Sequence, residues 1–239
     1  MTAQHNMLNK DMNNISDNQQ EQHMENNHKP QEIGGIYVRG HIKISDVTDR
    51  NAPVVLVDKP NAIHYENMSE AIAYALSNKQ QQYMYEMHFG NGGSAVDSTG
   101  VITYLIPNTN SVTATLYSPT YSKIIDNTDA ANPDPANNKM QIRHVPGNPY
   151  SDIIISCLLD YGEPPTQSVF DNSSTLNDVY TFDELGIVAK STDGTSGLAS
   201  TGKLLTHVIF HPVQKSLNRL IQIDYTVRIQ TLTNLSAIG

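Results

Sequence analysis

The sequence predicts a mainly β fold, an antiparallel β-sandwich or barrel with one packed α-helix. Segments in which apolar and polar residues alternate recur from residue 36 almost to the C-terminus, which is typical of half-buried strands. Only one segment carries apolar residues at helical spacing. The connections are rich in Pro, Asn, Asp, Ser and Gly and contain no helical crossover, which favours antiparallel pairing. A chain of 239 residues is long enough for one large β domain.

The first two strands are predicted from "IYVRGHIKI" (36–44) and "APVVLVDKP" (52–60). The alternation in the first segment puts four apolar residues on one face, namely Ile36, Val38, Ile42 and Ile44. Prolines bracket the second segment. Since proline cannot donate to a β-ladder, they indicate an edge strand.

The helix is predicted over "NMSEAIAYALSN" (67–78). Asn67 is suited to the N-cap position, and Glu70 three residues later completes a capping box. Asn78 is suited to end the helix in the left-handed conformation. The predicted apolar face consists of Met68, Ala71, Ile72, Ala75 and Leu76.

The rest of the chain reads as strands separated by polar loops. The predicted strands are "YMYEMHF", "GVITYLI", "KMQIRHV", "SDIIISCLLDY", "FDELGIVAK", "LLTHVIFHPV" and "NRLIQIDYTVRIQTL". In the last of these the inward-facing residues are Ile221, Ile223, Tyr225, Val227 and Ile229. Cys157 lies within an apolar run, where we expect it to be a small buried hydrophobe.

A cluster of glycines in "HFGNGGSAVDSTG" (88–100) could hold a phosphate or form turns. No lysine follows the glycines and no helix starts after them, so a nucleotide-binding loop is not indicated. Asn91 and Gly92 match a type I′ hairpin turn, which requires positive φ at both central residues. We therefore assign Asn91, Gly92 and Gly93 to a structural turn and place a second turn at Gly100.

No metal, cofactor or catalytic site is predicted. His207 and His211 would share one face of a strand, but Val208 stands where a zinc-protease motif needs glutamate. Asp183 and Glu184 are adjacent, so on a strand they point to opposite faces unless a special turn intervenes. The histidines, including His64 and His88, are therefore interpreted as structural or surface residues. No hydrolase motif appears, and we expect no enzyme.

Composition favours a protein that is covered by neighbours. Charged residues are 16% of the chain, against roughly 25% in an average domain. A net charge of -9 disfavours sequence-specific binding to nucleic acid. No membrane span or secretory signal is predicted, so the expected place of synthesis and assembly is the host cytoplasm.

Two polar segments are candidate arms for assembly. Residues 1–32 contain no Val, Phe, Tyr or Trp, which predicts a tail that is disordered alone or ordered only against a neighbouring subunit. Residues 33–239 then form a single domain. Within it, the segment 126–139 is predicted to be an extended loop that is too long and polar for a simple turn.

Three blocks carry a resemblance to a known group of proteins. They are "NAIHYENMSEAIAYALSN", "YEMHFGNGGSAVDSTGVITYLIPNT" and "LLTHVIFHPVQKSLNRLIQIDYTVRI". Together they resemble virion structural proteins of tailed bacteriophages, and the likeness extends over roughly residues 33 to 231. The resemblance implies a repeated, non-catalytic component of the virion. Its partners would be copies of itself and other phage structural proteins.

The favoured interpretation is a tail or neck subunit that forms rings or tubes through strand edges, loops and the N-terminal arm. An acidic ring would let DNA slide through without sticking. A head-surface decoration or collar protein is the first alternative. A receptor- or glycan-binding module is the second, and it requires exposed tyrosines along a groove. The lack of tryptophan counts against a carbohydrate site, whereas the 12 tyrosines leave that possibility open.

Overall fold

The computed structural model describes residues 34–79, 82–165 and 179–233. The predicted N-terminal arm, residues 1–32, lies outside the described residues. Residues Gly34–Leu232 form one compact unit. Strands make up 51% and helix 7% of these described residues, which confirms the predicted mainly β class with one helix in this part of the chain.

The elements follow one another as β1 (Gly34–Asp46), β2 (Val54–Ile63), α1 (Tyr65–Ser77), β3 (Met84–Gly90), β4 (Ser94–Val96), β5 (Ile102–Tyr104), β6 (Pro119–Ile124), β7 (Lys139–His144), β8 (Tyr150–Leu159), β9 (Val179–Ala189), β10 (Leu204–Ser216) and β11 (Ile221–Thr233). Nine strands form one sheet in the order β6-β3-β9-β10-β2-β1-β11-β8-β7. The strands β4 and β5 form a separate hairpin.

Strand β2 divides the large sheet into two halves. Its residues 54–61 pair with β1, whereas only Ala62 and Ile63 pair with β10. The strand thus passes from one half of the sheet to the other. The prediction of an edge strand is therefore wrong, since β2 lies between β1 and β10. Pro60 is tolerated because it lies in the part of β2 that pairs on one side only.

The sheet curls so that its two halves enclose one core. Ile42 and Tyr225 from one half and Phe89 and Leu185 from the other are fully buried in the same cluster. Burying each such side chain contributes roughly 1.5–3 kcal/mol. The curl also brings the end strand β6 near β8, where the ammonium of Lys123 donates to the carbonyl of Leu158 at 2.8 Å.

The predicted inward faces of β1 and β11 are confirmed with one exception. Val38, Ile42 and Ile44 of β1 are buried, as predicted, but Ile36 is exposed near the start of the strand. In β11, the residues Ile221, Ile223, Tyr225 and Val227 are fully buried, and Ile229 packs against the core. Strand β6 was not predicted, because "PTYSKI" shows no clear alternation.

The helix ends as predicted but begins earlier. Asn78 is the C-cap, with φ 51° and ψ 41° in the left-handed region. The N-cap is His64 rather than Asn67, since the Nδ1 atom of His64 accepts the backbone N–H of Asn67 at 3.2 Å. Glu70 completes no capping box and instead forms an ion pair with Lys203.

The helix also buries a narrower face than predicted. Met68 and Ala71 are buried and Ile72 packs against the core. Ala75 and Leu76 are exposed.

The segment 126–139 is a compact loop, not an extended one. The amide of Asn132 donates to the carbonyls of Asp126 and Asn138 at 3.1 and 2.9 Å, and all three residues are buried. The backbone N–H of Leu158 donates to the side chain of Asn138 at 3.0 Å. Hydrogen bonds from side-chain amides thus take the place of the backbone hydrogen bonds of a β-sheet, and they hold the loop against its own domain.

Candidate functional site

A groove opens at the point where β2 leaves β1. Its volume is about 790 Å³. Residues 37–41 of β1 and 60–63 of β2 form its walls, with Tyr65, Thr109, Thr226 and Arg228 around them. The groove exists because the pairing of β1 with β2 ends at Gly40 and Asn61, after which the two strands diverge. We call it the crossover groove.

The crossover groove is basic. Arg39, His41 and Arg228 line it, and no acidic residue is among its described lining residues. His41 is partnered by Asp58, with 3.0 Å between Nε2 and Oδ1. Arg39 has no ion-pair or hydrogen-bond partner in the described part of the chain.

Arg228 is held in place by its own contacts. Its guanidinium donates to both carboxylate oxygens of Asp152, at 2.6 and 2.9 Å, and lies 3.8 Å from the ring centre of Tyr150. The guanidinium groups of Arg228 and Arg143 lower the pKa of Asp152 to about 2. Asp152 is therefore ionised at neutral pH, and it neutralises much of the charge of Arg228.

Exposed tyrosines stand beside the crossover groove. Tyr37 is 45% exposed and Tyr65 is 67% exposed, and both line the cavity. A receptor- or glycan-binding module, the second alternative function, requires exposed tyrosines along a groove, and Tyr37 and Tyr65 stand in that arrangement.

A second, smaller cleft opens on the other side of β2. Its volume is about 370 Å³, and it lies between β2, β10 and residues 104–107. The ammonium of Lys59 crosses it and donates to the carbonyl of Ile209 at 2.8 Å. The cleft is therefore already bridged by the protein itself.

The glycine segment does hold anions, but they are side chains of the same protein. The N–H of Gly92 donates to Glu184 Oε1 at 3.1 Å, and the N–H of Gly93 donates to Asp183 Oδ1 at 2.9 Å. Ser94 donates its N–H to Asp183 Oδ2 at 2.8 Å and its hydroxyl to the same oxygen. We call residues 90–94 with Asp183 and Glu184 the carboxylate cradle.

The prediction that Asn91 and Gly92 form a type I′ turn is wrong. Neither residue has positive φ, and β3 pairs with β6 and β9, not with the segment after the glycines. Gly92 and Gly93 are required for a different reason. A Cβ at Gly92 would lie 2.8 Å from Ser118 Cβ, and one at Gly93 would lie 2.9 Å from a methyl group of Ile209.

The second predicted turn is present. Gly100 has a φ of +86°, and the side chain of Asp97 accepts the N–H of Thr99 at 2.8 Å. This turn joins β4 to β5.

Asp183 and Glu184 both bind the loop at residues 92–94 although they are adjacent on β9, and β10 beside them contains a bulge. In the β9–β10 register, Glu184 pairs with Ile209 whereas Phe182 pairs with Val213, so β10 contains two extra residues at this point.

The bulge also separates the two histidines that were predicted to share a face. His207 is fully buried, and its Nδ1 accepts the N–H of Asn108 at 2.8 Å. His211 is exposed, with its Nδ1 3.1 Å from the hydroxyl of Tyr104.

The remaining two histidines that the sequence analysis named also make hydrogen bonds within the protein. His64 is buried, with its Nε2 2.7 Å from the carbonyl of Ser111, and it caps α1. His88 is buried, with its Nε2 2.8 Å from Glu86 Oε2. Over the described ranges, no three His, Cys, Asp or Glu side chains are grouped as metal ligands.

Cys157 is fully buried, as predicted. Burial raises the pKa of its thiol to about 12, which disfavours the nucleophilic thiolate in the folded protein. Among the helices of the described chain, none has both the length and the apolar character needed to cross a bilayer.

Comparison with known proteins identifies no relative: no family model, curated protein or solved structure matches this chain.

Proposed function

We propose that this chain is a non-enzymatic structural subunit of a tailed-phage particle. It assembles with copies of itself into rings or tubes at the tail or neck. The resemblance of the three sequence blocks supports this proposal, as does the low share of charged residues, 16% of the chain. The net charge of -9 suits a ring through which DNA passes without binding.

The observation that carries the proposal is an exposed apolar hairpin. Residues 94–106 comprise β4, the turn at 97–101, β5 and the two residues that follow. Five large apolar side chains in this segment are exposed, namely Val96, Val101, Tyr104, Leu105 and Ile106. Single exposed apolar residues are ordinary, but five of them within the thirteen residues 94–106 favour an interaction surface.

The apolar hairpin is held firmly on the domain. The N–H of Leu105 donates to the carbonyl of Gly93 at 2.9 Å, and Gly93 is itself fixed by Asp183. The hydroxyl of Tyr104 contacts His211. An interface presented on a preorganised element loses less conformational entropy on binding.

An open strand edge provides a second assembly surface. In the described part of the chain, strand β7 is the last strand of the sheet and pairs only with β8. Ile142 in its middle is exposed. An unpaired edge with an exposed apolar side chain is suited to strand addition from a neighbouring subunit.

Sedimentation velocity of the full chain over a wide range of concentrations tests the proposal. We expect an oligomer that dissociates in the Ile106→Lys variant, because assembly would bury an unpaired ammonium. Leu76→Lys is the matched control, since Leu76 is 80% exposed and Ile106 is 79% exposed. A wild-type chain that stays monomeric at every concentration would contradict the proposal, as would equal dissociation by both variants.

A further inference from the structure

We propose that the crossover groove binds a saccharide that carries a carboxylate group. This site is separate from the apolar hairpin, so it goes beyond the assembly function and can be tested independently of it. Four features of the groove support the inference: its charge, its exposed rings, its neutral polar groups and its short open strand edge.

The charge of the groove selects an anion. The chain has 24 acidic and 15 basic residues, yet the groove is lined by basic residues without an acidic one among those described. Arg228 is already paired with Asp152, whereas Arg39 has no partner in the described part of the chain. A guanidinium offers two parallel N–H donors that match the geometry of a carboxylate. Arg39 is therefore the group that would hold the carboxylate.

The exposed rings and the neutral polar groups favour a sugar as the carrier of that carboxylate. Tyr37 and Tyr65 expose aromatic rings at the groove, against which the C–H face of a pyranose can pack. Asn61, Thr109 and Thr226 add amide and hydroxyl groups that can donate to and accept from sugar hydroxyls. The volume of about 790 Å³ lies within the roughly 300–1,000 Å³ typical of ligand sites.

The short open edge of β1 argues against a peptide strand as the ligand. Among the described residues, β1 pairs with β2 only from Gly40 onward, and of its open residues 34–39 only 37–39 line the groove. Strand addition draws its affinity from a longer run of main-chain hydrogen bonds. A compact ligand bound by side chains fits this geometry better than an extended chain does.

Isothermal titration of the full chain tests the proposal with three acidic oligosaccharides: tetragalacturonate, a hyaluronan tetrasaccharide and sialyllactose. The methyl ester of each one keeps the rings and removes the charge. We expect at least one acid to bind and its ester to bind about tenfold more weakly. The Arg39→Gln variant should bind the acid as weakly as the ester, whereas Tyr37→Ala should weaken both forms.

Two matched controls lie outside the groove. Arg50→Gln removes an exposed arginine from the turn between β1 and β2, and Tyr161→Ala removes a tyrosine that is 55% exposed. Both should bind like the wild type. The proposal is overturned if none of the three acids binds, or if Arg39→Gln leaves binding of the acid unchanged. Tighter binding of a hexaglutamate peptide than of every saccharide would also overturn it and assign the groove to a peptide.

Discussion

The Nε2 atom of His207 lies 3.0 Å from Oε2 of Glu184, and neither side chain is exposed to solvent. The Nδ1 atom of His207 accepts a backbone N–H, so the ring proton is on Nε2 and is donated to the carboxylate. Three backbone N–H groups also donate to Glu184, from Gly92, Tyr117 and Ser118. The pair is therefore an anchor for three chain segments in the core.

Replacing the carboxylate of Glu184 tests this role. Each oxygen of Glu184 accepts two N–H groups, so the amide nitrogen of Glu184→Gln would face donors on either side. We expect the free energy of unfolding to fall by about 2–4 kcal/mol, as measured by urea denaturation.

Glu66→Gln is the control for that substitution. Glu66 is exposed in the first turn of α1, so its change should alter stability by less than about 0.5 kcal/mol. Equal stability of wild type and Glu184→Gln would show that the carboxylate cradle does not hold the loop.

Because of the carboxyl group of Glu184, we expect the folded protein to lose stability in acid. Burial alone would raise the pKa of Glu184, but the hydrogen bonds from His207 and from the amides of Ser118, Tyr117 and Gly92 outweigh it and lower the pKa below the ordinary 4.5. The unfolded chain therefore takes up this proton at a higher pH than the folded one does. The stabilisation is complete above pH 4.5 and is lost as the pH falls through the folded-state pKa.

Urea denaturation at a series of pH values below neutrality measures this effect. The decline in stability toward acid should be less steep in Glu184→Gln than in the wild type. It should not vanish, because the pKa of Asp152 is lowered to about 2 by its arginine partners and contributes a further decline. Identical slopes for the two proteins would exclude Glu184 as a source of the acid sensitivity.

A side chain added at Gly92 should have a steric effect on stability. A Cβ there would lie 2.8 Å from Ser118 Cβ and 2.9 Å from its backbone nitrogen, so Gly92→Val should lower the free energy of unfolding by about 1–3 kcal/mol. Gly35→Val provides the control, since nothing lies within 4 Å of a Cβ at that position. Thermal unfolding of the two variants gives the comparison. A stable Gly92→Val protein would mean that the loop can move away from residues 117–118.

We expect the thiol of Cys157 to be chemically inert in the folded state. Its thiol is fully buried and burial raises its pKa to about 12. We expect an aromatic disulfide reagent to modify it more than about a hundredfold more slowly than a free thiol, and at the ordinary rate once the chain is unfolded in urea. Fast modification of the native protein would place Cys157 at the surface.

Local pattern was enough to predict most of the sheet. Alternation identified the segments that form β1 and β11, and four of the five inward residues of β11 are fully buried. The end of α1 at Asn78 was also predictable, because the left-handed conformation is a property of that residue type.

Features that depend on distant partners were not predictable. Gly92 binds Glu184, which is 92 residues away in sequence, so the glycine cluster looked like a hairpin turn. The bulge that separates His207 from His211 is visible only in the register of β9 and β10. The crossover groove likewise arises because β2 pairs first with β1 and then with β10. No local sequence pattern predicts this change of partner.

The central claim, that this chain is a subunit that assembles with copies of itself, is tested most directly by electron microscopy of the purified full chain at high concentration. The account predicts closed rings or short tubes of uniform diameter, which are lost in the Ile106→Lys variant. Fields that contain only single particles of the 26.4 kDa chain would contradict it.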